Sequence, residues 1–229
     1  IFCGTVVDGD YVKEQGRTGR LKQQLMVAIC TKKGEKGKAY ICADELNARI
    51  IPNGEVISKR IRKLCDEKGL SMPEEPLVDK SADQLPLYGM TQYGQLFTPR
   101  QLLAVLTFTQ LVRKVYEEMD YQGYEVEKVK SVATGLGMWT DRIADYMSNC
   151  VRWVADGEFV ADTFARQALP MVWDFAEVNP LGNASGSATG AVQWVVDVLA
   201  QSSVNGIASQ TTRGSATELP WGNAFFDAV

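Results

Sequence analysis

The stretch Thr98-Pro-Arg-Gln-Leu-Leu-Ala-Val-Leu-Thr-Phe-Thr-Gln-Leu-Val-Arg-Lys-Val115 decides the fold class. Three helix-start signals coincide at its beginning. Thr98 can accept hydrogen bonds from the orphan backbone N–H groups of a first turn. Pro99 has no N–H to lose and suits the first helical position. Gln101 lies three residues after Thr98 and completes a capping box. Leu102, Leu103, Leu106, Leu111, Val112 and Val115 then supply an apolar face. The reading is an amphipathic helix that must bury that face against other elements.

Helical patterns continue downstream. One spans roughly Glu125 to Val154, weakened at Gly135-Leu-Gly137. Another runs from Thr163 to Phe175 and should kink or end at Pro170. A fourth runs from about Thr189 to Gln201. Residues 98–205 therefore read as a helical insert region. Upstream, residues 1–45 read as a small β-rich element. Leu25-Met-Val-Ala-Ile-Cys30 is an apolar run, Thr31-Lys-Lys-Gly-Glu-Lys-Gly-Lys38 a polar turn, and Ala39-Tyr-Ile-Cys42 a second run, which is a hairpin signal. Cys30 and Cys42 lie on the apolar runs, where buried small hydrophobes are expected.

Residues 46–97 read as a basic helix followed by a surface connector. The helical pattern from Ala43 to Lys68 is broken by a turn at Pro52-Asn-Gly54. Ile57, Ile61 and Leu64 mark its apolar side, and Lys59, Arg60, Arg62 and Lys63 cover the rest. Residues 69–97 are rich in Pro and Gly and lack a period. The fold class is thus mainly α with a small N-terminal β element, an α+β chain.

Composition narrows the chemistry. The chain has 229 residues, 45% apolar and 23% charged, as in an ordinary globular protein. No apolar run reaches the roughly 18 to 20 residues of a membrane span. Ile1 is not an initiator Met and no signal-peptide pattern opens the chain, so a piece of a longer protein is expected. Five widely spaced cysteines form no disulfide pattern and suggest a reducing, cytoplasmic setting. Histidine is absent. That excludes Ser-His-Asp and Cys-His nucleophile systems, a His base and a His-ligated zinc within this chain.

The net charge of −4 is unevenly distributed. Residues 1–70 hold 14 Lys and Arg against 9 Asp and Glu, a net +5; the rest holds 10 against 19, a net −9. Lys32, Lys33, Lys36 and Lys38 at the hairpin tip are candidate phosphate contacts, or an ordinary solvated loop. Arg100 and Arg166 can meet phosphate through bidentate contacts, or close internal ion pairs with Asp174 and Glu177. Trp139, Trp173 and Phe175 read as core rather than as base-stacking platforms, and Asn179-Pro180 as a helix stop.

The chain ends in Gly-Ser-Ala-Thr-Glu-Leu-Pro-Trp-Gly-Asn-Ala-Phe-Phe-Asp-Ala-Val, residues 214–229. By pattern alone it is the approach to a strand end in a doubly wound sheet, a terminal hairpin or a tail. Together with Tyr88-Gly-Met-Thr-Gln-Tyr-Gly-Gln-Leu-Phe-Thr-Pro-Arg-Gln-Leu-Leu103 and Thr163-Phe-Ala-Arg-Gln-Ala-Leu-Pro-Met-Val-Trp-Asp-Phe-Ala-Glu-Val-Asn-Pro180, it resembles the DUF1156-containing adenine-specific DNA methylases. Some members of that family are associated with anti-phage systems.

The resemblance implies a parent enzyme that is S-adenosylmethionine-dependent and acts on double-stranded DNA. In that family a glycine-rich cofactor loop lies upstream, and an Asp-Pro-Pro-Tyr motif lies just past such a tail. This chain contains neither, so the resemblance implies the segment between the two halves of a methyltransferase site. Residues 206–229 would then be part of a Rossmann-like sheet. Gly214, Ser215 and Ala216 would match a turn beside the cofactor adenine, with Ser215 where relatives carry Asp; a plain tight turn is the other reading. No residue of the chain is assigned a catalytic role and no metal is expected. The competing reading is a helical scaffold that holds the partner proteins of a defence complex and never touches DNA.

Overall fold

The computed structural model describes residues 6–32, 34, 36–46, 54–166, 168–203, 214–215, 217–218, 220–222 and 225. The chain forms two compact units, Ile1–Val195 and Val196–Val229. Among the described residues it is mainly helical, with two small antiparallel hairpins. The helices are α1 (Gly9–Arg17), α2 (Gly54–Lys68), α3 (Pro99–Tyr121), α4 (Val126–Tyr146) and α5 (Ala188–Ser203). The strands are β1 (Val27–Thr31), β2 (Lys38–Cys42), β3 (Arg152–Val154) and β4 (Phe159–Ala161). Among the described residues no helix is long and apolar enough to cross a membrane.

Helix α3 starts where the capping signals place it. The Thr98 hydroxyl accepts the Gln101 N–H at 3.3 Å, and the Gln101 side-chain oxygen accepts the Thr98 N–H at 2.8 Å. Both residues are only 1% exposed, so the reciprocal cap lies inside the protein. One apolar cluster joins α2 to α3 through Ile57, Ile61, Cys65, Leu70, Leu102 and Leu106. Leu64 is half-buried beside it, and Cys65 takes the deeper position. A second cluster joins α4 to α5 through Ile143, Met147, Ala188 and Ala191, with Ala104 and Phe108 of α3 packed partly against it.

Several sequence expectations are corrected. Residues 1–45 are not all β: Asp8 caps α1 by accepting the Tyr11 N–H at 2.7 Å. This helix has Gly at both ends and a weak apolar pattern. It is held by a close approach, in which a Cβ on Gly16 would run into the Tyr88 backbone and one on Gly89 (φ +90°) into that of Gly16.

The segment 69–97 is no surface connector. Leu77 N–H donates to Thr91 O at 2.8 Å and Tyr93 N–H to Glu75 O at 3.0 Å, closing it on itself. Three short 3-10 turns, Asp79–Ala82, Leu85–Tyr88 and Tyr93–Leu96, absorb much of the remaining backbone hydrogen bonding. Leu85 and Leu96, both 0% exposed, join Leu77, Cys150 and Leu169 in a third cluster.

Helix α4 runs through Gly135 and Gly137 without interruption and stops at Tyr146, well before Val154. The chain after it is captured by other groups. Asn149 N–H donates to Leu96 O at 2.6 Å, and the Ser148 hydroxyl bonds Thr163 at 2.8 Å. Residues 152–161 then form the β3–β4 hairpin.

Among the described residues from Thr163 to Phe175 no helix forms. The Asp145 carboxylate accepts the Thr163 and Phe164 N–H groups at 3.0 and 2.9 Å, and Pro170 lacks a donor. Trp173 is 59% exposed rather than core, touching Tyr88 edge-on at 5.3 Å.

In the second unit the Glu218 N–H donates to Ser215 O at 3.2 Å, closing a tight turn. Trp221 stacks on Phe225 with ring centroids 6.2 Å apart. Residues 206–213, 216, 219, 223–224 and 226–229, most of the expected Rossmann-like piece, lie outside the described residues.

Two substitutions test this architecture. Leu96→Ala is expected to cost about 2–5 kcal/mol by urea unfolding, as a core truncation does; a cost under 1 kcal/mol would restore the surface-connector reading. Gly137→Ala is expected to stabilise by roughly 0.5–1 kcal/mol. An added Cβ at Gly137 meets open space, and the helix gains the better propensity.

Candidate nucleic-acid interface

The basic N-terminal part presents two cationic surfaces. The first is the β1–β2 hairpin, whose register pairs Val27 with Cys42 and Thr31 with Lys38. Lys32 and Lys36 are exposed at its tip and Lys38 is half-buried; Lys33 lies outside the described residues. The Glu158 carboxylate supports the hairpin, accepting the Lys38 N–H at 3.2 Å and the Tyr40 hydroxyl at 3.1 Å. Tyr40 also meets Trp153 edge-on at 6.4 Å. Desolvation, with the Glu158 carboxylate beside it, pushes the Tyr40 phenol above its ordinary value.

The second surface is α2. Ile57, Ile61 and Cys65 face the core, which turns Lys59, Arg60, Arg62 and Lys63 to solvent. Lys63 lies 3.6 Å from Glu67. Among the described residues Lys59, Arg60 and Arg62 form no ion pair. Ser58 and Arg62 also edge a shallow groove of about 210 Å³ against Met72, Phe97, Pro99 and Leu102. That volume is below the roughly 300–1,000 Å³ of small-molecule sites.

The two arginines of the helical blocks have different fates. Arg100 closes its fork on Glu177, Nε to Oε2 at 2.8 Å and Nη2 to Oε1 at 2.7 Å. Hydrogen bonding to the Glu177 carboxylate raises the guanidinium's already high pKa. Of the two readings for Arg100, the internal ion pair is the one observed, and its phosphate-binding edge is occupied. Arg166 is exposed on irregular chain and is not brought to either cationic surface by any described contact.

At the C-terminal turn the Ser215 hydroxyl bonds the Thr217 hydroxyl at 2.8 Å and accepts the Thr217 N–H at 3.2 Å. Gly214 is exposed beside it, and Ala216 lies outside the described residues.

The cysteines differ from expectation. Cys30 and Cys42 are exposed. A two-stranded ribbon has no second layer over it, and the register puts the two on opposite faces, since Cys30 sits across from Ala39 and Cys42 from Val27. Cys65 and Cys150 are buried. Desolvation raises both thiols, that of Cys150 to about 11. Among the described residues no three His, Cys, Asp or Glu side chains gather as a metal-binding group.

One cationic group escapes a reading by charge runs. Arg142, on α4, lies 5.1 Å from the Tyr146 ring centroid and 4.7 Å from that of Trp194 on α5. The spacing of Arg142 and Tyr146, four residues apart on one helix, is visible in sequence; the approach of Trp194 is not.

Compared with known proteins, the chain matches no family model, no curated protein and no solved structure.

Two measurements check this geometry. Arg100→Ala is expected to lower stability by up to about 1 kcal/mol, the pair being partly exposed, without changing DNA affinity. Loss of DNA binding with unchanged stability would reverse the assignment. In alkylation mapped by mass spectrometry at pH 8, Cys30 and Cys42 are expected to react and Cys65 and Cys150 to stay protected. The raised Cys150 pKa also makes its contribution fully present below the unfolded value of 9.0 and lost as pH rises through about 11.

Proposed function

We propose that this chain is a non-catalytic, DNA-docking segment of an S-adenosylmethionine-dependent DNA adenine N6-methyltransferase. The observation that carries the docking role is the solvent-facing row Lys59, Arg60, Arg62 and Lys63 on α2, fixed by burial of the opposite face on α3. The hairpin lysines add to the same basic part of the chain. Cations displayed on a packed helix can neutralise phosphates and release counterions on binding. The resemblance of Tyr88–Leu103, Thr163–Pro180 and the C-terminal tail to adenine-specific methylases supplies the enzyme class. In this reading, residues 206–229 contribute to a Rossmann-like sheet of the parent enzyme.

The cofactor is tested against the residues present. The Ser215 hydroxyl is spent inside its own turn, and Ser stands where the resemblance puts Asp. These residues do not fit a ribose or adenine contact by themselves, and no step of methyl transfer is assigned to this chain.

A second reading has one observation in its favour. In the part of α5 from Val196 on, Val196, Val198 and Leu199 are all about half exposed. An apolar helix surface of this kind suits a protein partner, as a scaffold of a defence complex requires.

Duplex-DNA binding, followed by fluorescence anisotropy at several salt concentrations, separates the readings. Wild-type binding should fall with salt with a log–log slope of about −3 to −4, as about four phosphate contacts give. Changing Lys59, Arg60, Arg62 and Lys63 to Gln should weaken it at least ~10-fold and flatten that slope. A wild-type chain that does not bind at low salt would discard DNA docking in favour of the scaffold.

A further inference from the structure

We propose that Arg142, Tyr146 and Trp194 form a docking site for one unpaired nucleotide, the Arg142 guanidinium meeting a backbone phosphate and the exposed Trp194 indole stacking on the base. This rests on the nucleic-acid reading above and adds to it a second, single-strand contact.

The site is built rather than accidental. Arg142 packs within cation–π range of both rings, and its Nη2 donates to the Tyr146 hydroxyl at 3.2 Å. Among the described residues the other N–H groups of the guanidinium have no acceptor. A guanidinium packed on rings retains its in-plane donors for an anion, and its restricted side chain loses less freedom on binding.

Tyr146 is itself held in place. Gly186 lies against it with φ +81°, and a Cβ there would come within 2.9 Å of Tyr146 Cβ. Trp139 fastens α4 to the start of α5, donating its indole N–H to Ala188 O at 2.7 Å. Trp194, in contrast, is 62% exposed. An exposed indole beside an anchored cation presents both parts that a nucleotide needs, a π face and a phosphate donor.

The surroundings select a local contact rather than a broad electrostatic one. Asp141 is exposed beside Arg142, and the Asp145 carboxylate accepts the Thr163 and Phe164 N–H groups. A long phosphate track is disfavoured there, and a single phosphate on Arg142 is what the charges permit.

The test uses a labelled single-stranded 12-mer and a duplex of the same sequence, titrated by anisotropy with the full chain. Trp194→Ala is expected to weaken single-strand binding roughly 5- to 100-fold, while Trp194→Phe, which keeps a ring, stays within about threefold. Arg142→Gln should weaken it and reduce the salt slope by about 0.7, the value for one single-strand phosphate. Arg142→Lys should keep the slope but lose affinity, having charge without the fork. Duplex affinity, carried by α2, should not change in any of these variants, which also reports that they are folded.

Wild-type single-strand affinity in both Trp194→Ala and Arg142→Gln would overturn this site and leave α2 docking standing. Absence of wild-type binding to either DNA would overturn both.

Discussion

The structure depends on one buried reciprocal hydrogen bond pair. Thr98 and Gln101 each satisfy the other's backbone N–H inside the protein, where an unmet donor would be costly. The pair fixes the direction in which α3 leaves the chain. It also fixes the residues just before the helix, Gln95 to Phe97, on which much else is hung. Asn149 reaches Gln95 O and Leu96 O, so the end of α4 is tied to the start of α3. Leu96 fills the center of the third cluster. From that point α2 packs along one side of α3 and α4 along another.

This arrangement explains how a chain of net negative charge can still display cations usefully. Helix α2 is short of apolar residues; it spends Ile57, Ile61 and Cys65 on the cluster with α3 and leaves Val56 exposed. Most of its other positions face water, and five of them, Lys59, Arg60, Arg62, Lys63 and Lys68, are Lys or Arg. The acidic excess of the later sequence is dispersed over other elements, and part of it is occupied: Glu177 on Arg100, Asp145 on two backbone amides, Glu158 on the hairpin. Total charge is therefore a poor guide to the local field, and the packing direction of one helix is a better one.

Much of the local structure was legible in the residues. The α3 start, the β1–β2 hairpin and the α5 span all rest on short-range signals: caps, turn formers and apolar runs. The expected turn at Pro52-Asn-Gly54 lies mostly outside the described residues. The errors share one cause. Periodicity reads residues 69–97 as surface chain and 163–175 as helix, yet part of their burial comes from contacts with chain far away in sequence. Leu85 shares its cluster with Cys150 and Leu169, which no window around it contains. Thr163 to Phe175 has enough apolar character for a helix, but Pro170 lacks an N–H and disfavours the helical conformation at Leu169, whose side chain is drawn into the third cluster instead. The exposed Cys30 and Cys42 fail for the same reason in reverse, because an apolar strand is buried only if a second layer covers it.

For the candidate interface the division is similar. Sequence by itself determined which residues are cationic, that histidine chemistry is absent, and that the chain is mainly helical, because composition and caps are local properties. Only the tertiary structure decided that Arg100 is closed on Glu177, 77 residues away, that Lys59 to Lys63 face solvent, and that Arg142 meets an indole from another helix. An ion pair or a cation–π contact is a matter of a few ångströms in space, and separation along the chain does not set that distance.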